Sequence, residues 1–383
     1  MKFKFLKSNH IKLYKRENSK YWQMKIKLPK QKAIRSSTGS KILKESEKIA
    51  LKYYSSLSIE NKIHIKGSSK NIYTKIHLVE TADLDRKEIE FFLNEAKKFI
   101  SFNKKRIKKN NLLEGRTIFN LFFEDSTRTR TSFEVAAKRL GADLINVAVK
   151  DSSINKGETL LDTMTTINSM NPDVLIIRHP EEGISKRISE NVDACVINAG
   201  DGSHEHPTQA LLDALTIKNR FKNFSKLQIA ICGDILHSRV ARSNIIILSK
   251  LGAKINVIGP REWLPKNIKK LPVTVFTDMK KGLKNCDIVM MLRIQKERIV
   301  GKIMPNQKIY FNKYGLDYNK LKYAKKNAFV MHPGPMNRGV EIDSKLADDV
   351  TRSLIQEQVA MGVAIRMACL DILIKNRDNV LKY

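Results

Sequence analysis

From about Ile72 onward, short apolar runs of strand length alternate with longer segments of helical period. Parallel strands cannot be joined by tight turns, so each needs a crossover, and a helix is the usual one. The pattern therefore predicts parallel sheets assembled from βαβ units. Candidate strands are 117–123, 174–177, 194–198, 227–232, 254–258, 287–292 and 328–331. Helices are predicted over 84–103, 208–220 and 238–251, and an apolar-periodic segment from Arg352 to Leu373 closes the chain.

In open α/β sheets ligands sit beyond the carboxyl ends of the strands, so those positions carry the functional reading. After 117–123 comes Ser126-Thr127-Arg128-Thr129-Arg130, opening a segment with Phe133, Ala136, Ala137 and Leu140 on one helical face. Free N–H groups and the positive end of the helix dipole make such a turn an anion site, and arginine adds a bidentate fork for phosphate. Arg178-His179-Pro180 follows 174–177. Past 194–198 come Asn198-Ala199-Gly200-Asp201-Gly202, His204 and His206-Pro207-Thr208-Gln209. Gly233-Asp234 and Arg239 follow 227–232, Arg293 to Arg298 follow 287–292, and His332-Pro333-Gly334-Pro335 ends the last strand. Arg128, Arg178, Arg239 and Arg293 are too many cations for one phosphate and suit a phosphorylated substrate plus a dicarboxylate. No G-x-G-x-x-G, G-x-x-x-x-G-K-[ST] or G-x-S-x-G occurs, which disfavours dinucleotide, P-loop and serine-hydrolase readings. What remains is group transfer between bound anions, driven by positioning and electrostatics.

The 383 residues suffice for two or three domains, and 42% hydrophobic content is ordinary for a globular protein. No apolar window approaches 18 residues and the N-terminus lacks a signal-peptide core, so neither a membrane span nor secretion is expected. Four single cysteines without a C-x-x-C pair indicate neither a metal site nor a disulfide framework, and they point to a reducing cytoplasm. The net charge of +32 is uneven: residues 1–70 hold 19 basic residues against 4 glutamates, +15 of the total.

Ser126-Thr127-Arg128-Thr129-Arg130, Lys156-Gly157-Glu158-Thr159, Arg178-His179-Pro180, His206-Pro207-Thr208-Gln209 and Arg293-x-Gln295-Lys296-Glu297-Arg298 occur in the order found in aspartate carbamoyltransferases. Over about 72–376 the chain resembles that family. The resemblance implies an α/β fold of two doubly wound parallel-sheet domains, preceded here by a small α+β domain. A carbamoyl-phosphate domain would span 72–210, completed by a helix at 352–376, and an aspartate domain 220–350. It implies carbamoyl transfer from carbamoyl phosphate to L-aspartate, an early committed step of pyrimidine biosynthesis. A homotrimer with shared active sites and no cofactor or metal would carry it out.

By motif, Ser126, Thr127, Arg128 and Thr129 would hold the phosphate. Arg178, His206 and Thr129 would polarise the carbonyl, and Gln209 would orient the carbamoyl amide with the carbonyls near Pro333 and Gly334. Arg239, Arg293 and Gln295 would bind the aspartate carboxylates, and Ser152 and Lys156 would reach in from a neighbouring subunit on a 150–158 loop. Arg130 reads as a structural brace, His179 as packing beside Pro180, and His332 equally as site wall or core. The alternative is a sister enzyme such as ornithine carbamoyltransferase, whose H-C-L-P motif is here His332-Pro333-Gly334-Pro335.

Residues 1–68 have no counterpart in that family. Trp22, Met24, Ile26 and Leu28 alternate with polar residues as in a half-buried strand, Ser36 to Ser40 form a turn cluster, and Ile42 to Leu57 are helix-patterned before a Gly67-Ser68-Ser69 linker. The segment is similar to the N-terminal arm-binding domain of phage-type tyrosine recombinases, which implies a three-stranded sheet with a helix. The first expectation is an appended fold without a specific partner, and the second is a nucleic-acid-binding module.

Overall fold

The computed structural model describes residues 3–6, 11–15, 19–26, 34–51, 72–147, 159–295 and 306–381. It divides into a unit of residues 1–74 with 379–383 and a unit of residues 75–378.

In the first unit, strands β1 (Phe3–Leu6), β2 (Ile11–Tyr14), β3 (Gln23–Ile26) and β4 (Ile34–Ser37) form an antiparallel sheet in that order. Residues 43–51 form helix α1. Of the alternation expected over Trp22 to Leu28, Trp22, Met24 and Ile26 are buried together with Ile11, Leu13 and Ala50, and Leu28 lies outside the described residues. Four strands stand where the resemblance implies three, and Ser36 and Ser37 belong to β4 rather than to a turn. A polar strand of sequence Ile-Arg-Ser-Ser has no apolar alternation to announce it. The end of the predicted helix and the Gly67 linker lie outside the described residues.

The second unit holds two parallel sheets. The first joins β5 (Thr117–Phe122), β6 (Asp143–Val147), β7 (Val174–His179) and β8 (Cys195–Asp201) in the order β6-β5-β7-β8. The second joins β9 (Gln228–Cys232), β10 (Lys254–Ile258), β11 (Val273–Phe276), β12 (Ile288–Met291) and β13 (Phe329–Met331) in the order β11-β10-β9-β12-β13. Strand order reverses between β5 and β7 and between β9 and β12, which creates a switch-point crevice in each sheet.

Strands β8, β9 and β12 are almost wholly buried, so they read as continuous apolar runs. β6 and β11 escaped the sequence reading because, unlike the buried edge strands β8 and β13, they are half-exposed and interrupted by polar residues. Between the strands run α2 (Arg86–Phe102), α3 (Thr127–Leu140), α4 (Leu160–Ser169), α5 (Ile184–Ser189), α6 (Pro207–Arg220) and α7 (Arg239–Lys250). Later come α8 (Met279–Leu283), α9 (Gln307–Tyr314), α10 (Tyr318–Leu321), α11 (Ser344–Asp348) and the 27-residue α12 (Ile355–Leu381). Helix α12 is buried on most sides through Met361, Ile365, Met367, Leu370 and Leu373. Asp173 ties it to the sheet, accepting Arg377 at 2.7 Å, Arg116 at 3.1 Å and the Thr117 N–H at 2.9 Å. Among the described residues no helix is long and apolar enough to cross a membrane, and all four cysteines are free and buried.

Candidate active site

A cavity of about 380 Å³ opens where the carboxyl ends of the two sheets face each other. Ser126 to Thr129 line it from the start of α3, and His206 and Gln209 from the start of α6. Ser238 and Arg239 enter at the start of α7, Arg293 and Gln295 follow β12, and His332 to Pro335 follow β13.

Three helix N-termini therefore converge. Ser126 is the N-cap of α3 in extended conformation, yet its side chain makes no capping hydrogen bond. Its hydroxyl is not engaged by its own helix, and the first-turn N–H groups of Thr127, Arg128 and Thr129 lack intrahelical acceptors by construction. Pro207 starts α6 with a fixed helical φ, leaving His206 at its cap and Gln209 in the first turn. An anion placed here meets oriented N–H groups before it meets any side-chain charge.

Glu124 organises the cations. Its Oε2 accepts from Arg178 Nη2 at 3.3 Å and also from Arg239 Nη2, so one carboxylate steadies two guanidinium groups from different sheets. Arg178 also donates to the Ala199 carbonyl at 3.3 Å. Both arginines press on Gly200, which has φ +116°; a Cβ there would lie 3.1 Å from Nη1 of each. Gly334, at φ +64°, does the same for Arg128, whose Cζ and Nε would stand 3.0 Å from an added Cβ. These two glycines let the backbone approach the guanidinium groups closely.

Burial and charge keep the site histidines neutral. Burial, then Arg178, Arg366 and Arg239, hold the His206 imidazole well below the usual histidine range. Its backbone N–H donates to Ser243 Oγ at 2.9 Å. Burial, Arg128 and Arg293 bring His332 down to about 3. His332 Nδ1 accepts the Gly334 N–H at 2.9 Å, which assigns any ring proton to Nε2. A neutral imidazole beside arginines is a hydrogen-bond donor that carries no cost of extra positive charge.

Of the positions expected from sequence, Ser126, Thr127, Arg128, Thr129, Arg178, His206, Gln209, Arg239, Arg293, Gln295, Pro333 and Gly334 all line this one cavity. Ser152, Lys156 and the 296–298 part of the last motif lie outside the described residues. His332 is cavity wall and core at once, being 1% exposed. His179 packs edge-on against Phe123 at 4.9 Å, and His204 Nδ1 pairs with Asp201 at 3.3 Å, away from the cavity lining.

Sequence reading missed Glu124, Asp213, Gln358 and Arg366. Arg366 lies over the Phe133 ring at 4.9 Å and donates to Ser132 Oγ at 2.8 Å on the cavity wall. The signal was present, since a lone arginine interrupts the apolar run Val363 to Leu370.

The pattern of the "Aspartate/ornithine carbamoyltransferase, carbamoyl-P binding domain" matches residues 76–219, and that of the corresponding "Asp/Orn binding domain" matches 225–373. The aspartate carbamoyltransferase catalytic subunit of Pelagibacter ubique is 57% identical over 296 residues, covering 77% of this chain and 95% of that one. Its counterpart in Rhodospirillum rubrum is 55% identical over 304 residues, covering 79% and 95%. Among solved structures, Trypanosoma cruzi aspartate transcarbamoylase with N-(phosphonacetyl)-L-aspartic acid superposes with a TM-score of 0.69 at 30% identity, covering 80% and 99%. Pyrococcus furiosus ornithine carbamoyltransferase superposes with a TM-score of 0.69 at 26% identity, covering 78% and 97%.

Proposed function

Because the chain belongs to the aspartate/ornithine carbamoyltransferase family, we propose that it moves the carbamoyl group of carbamoyl phosphate onto the amine of L-aspartate, releasing N-carbamoyl-L-aspartate and phosphate. The observation that carries this reading is the convergence of Arg128, Arg178, Arg239 and Arg293 with three helix N-termini on one cavity. Two anionic substrates account for that much positive potential; ornithine would bring a second ammonium group against it.

In this mechanism the Ser126–Thr129 turn holds the phosphate, and Gln209 with the Pro333 and Gly334 carbonyls orients the carbamoyl amide. Arg239, Arg293 and Gln295 receive the two carboxylates. The aspartate amine attacks the carbonyl carbon, and the π electrons move to oxygen. Arg178, neutral His206 and Thr129 stabilise that oxyanion. The oxyanion then collapses, the carbon–oxygen bond to phosphate breaks, and the departing phosphate serves in this reading as the acceptor of the amine proton. The unit acts as a cytoplasmic homotrimer in which Ser152 and Lys156 of a neighbouring copy complete each site. Its organisation follows the carbamoyl-phosphate half at 72–210 with 352–376 and the aspartate half at 220–350. Arg293→Ala is expected to raise the KM for aspartate at least tenfold more than the KM for carbamoyl phosphate. Equal losses for both substrates would remove Arg293 from the aspartate half.

One observation favours a second role for residues 1–68. The strand register aligns Lys12 with Lys25 and Lys25 with Arg35, a row of three cations across adjacent strands. The neighbouring row aligns Tyr14, Gln23 and Ser37. Their opposite-face neighbours Leu13, Met24 and Ile26 are buried. Binding of a DNA duplex by the full chain should fall steeply between 50 and 200 mM salt, and K12A/K25A/R35A should flatten that dependence. No retention at the lower salt would leave the segment an appended fold.

A further inference from the structure

Asp213 lies one helical turn beyond Gln209 on α6 and is fully buried. Three side-chain amides converge on it. Its Oδ1 accepts from Gln209 Nε2 at 3.0 Å and from Gln358 Nε2 at 2.7 Å, and its Oδ2 accepts from Asn244 Nδ2 at 2.8 Å. The chain continues beyond Gln358. Gln358 Oε1 accepts the His332 N–H at 3.0 Å, and His332 Nδ1 accepts the Gly334 N–H at 2.9 Å. One carboxylate thereby links α6, α7, α12 and the turn after β13.

We infer that Asp213 is a positioning residue that fixes the sense of the Gln209 amide, turning its NH2 inward so that the acceptor Oε1 is the end offered to the cavity. An ionised carboxylate can only accept, so an amide bonded to it must present nitrogen. The opposite sense would place oxygen against oxygen in a buried site, where neither could be satisfied. Burial raises the Asp213 carboxyl to about 6, which still leaves it ionised at neutral pH. The consequence is chemical selectivity. A ligand carrying an NH2 next to its phosphate finds an acceptor at Gln209, whereas one presenting an oxygen there finds none. The inference rests on the carbamoyl phosphate reading and deepens it.

The test separates the amide contact from the phosphate contact. The KM for carbamoyl phosphate and the inhibition constant of inorganic phosphate are measured for the wild type, Asp213→Leu and Asp213→Asn. Asp213→Leu removes the acceptor and is expected to raise the KM at least tenfold with the phosphate constant changed less than twofold. Asp213→Asn keeps one oxygen for the two donors on Oδ1 while Asn244 turns over, and it is expected to stay within about threefold of wild type. A KM unaffected in Asp213→Leu, or a phosphate constant lost in parallel, overturns the inference in favour of a purely structural carboxylate. If Asp213→Leu does not fold, Asp213→Ser decides: its shorter side chain withdraws the acceptor from Gln209 Nε2, so the KM should again rise at least tenfold with the phosphate constant changed less than twofold, and an unaffected KM overturns the inference. A wild type that transfers no carbamoyl group refutes the parent reading instead, and is recognised before any variant is made.

Discussion

At the scale of single residues, burial sets the charge of ionisable groups both in the site and outside it. His332 is brought down to about 3 and His77 to about 4, each led by desolvation, and His206 is held well below its ordinary value. A histidine kept neutral in the fold but free to protonate in the unfolded chain makes stability fall as pH drops below about 6.5. Each contributes about 1.4 kcal/mol per pH unit until its folded-state value is reached. Asp213, raised to about 6, works the other way, because the folded state takes up its proton first. His332→Gln should therefore reduce the acid slope of unfolding free energy between pH 6 and 4 by nearly one proton relative to wild type. Denaturant titrations across that window provide the check, and identical slopes would mean that His332 is already protonated in the fold. Such groups were only partly legible in the sequence. The strand-end arginines could be found by counting, but Glu124 and Asp213 matter for what surrounds them, and surroundings are set by tertiary packing.

At the scale of elements, the sequence announces whatever is buried, edge strands β8 and β13 included, and says little about strands that stay exposed. Strands β5, β7, β9 and β12 are apolar runs, whereas β6 with Ile145 and Asn146 exposed, β11 and the polar β4 carry no such signal. Turns are similarly hidden unless glycine marks them. Gly334 is such a mark, left-handed and against Arg128. Gly334→Ala would cost about 1 kcal/mol in backbone strain and push the Arg128 guanidinium aside. The KM for carbamoyl phosphate should rise about tenfold, equivalent to about 1.4 kcal/mol, with the aspartate KM changed much less. If carbamoyl phosphate affinity survives, Arg128 is not held by that turn.

At the scale of the whole molecule, both switch-point crevices open onto the same cavity, so residues from two parallel sheets line it together. This arrangement was readable in advance because functional residues follow strands in a parallel sheet, and the strand ends could be located from apolar runs alone. The second sheet brings Arg239 beside Glu124, with Arg293 and Gln295, to that cavity, and on the proposed reading this half would choose the acceptor. The unit of residues 75–378 contains every described residue assigned to the site, so removing residues 1–71 should leave turnover unchanged. The most direct measurement is carbamoyl transfer from carbamoyl phosphate to L-aspartate and, in parallel, to L-ornithine, with the full chain and with a chain beginning at Ile72. Transfer to aspartate by both forms, with none to ornithine, is the predicted result. Transfer to ornithine alone would contradict the reading of Arg239 and Arg293, and transfer to neither would contradict the assignment of the cavity as a catalytic site.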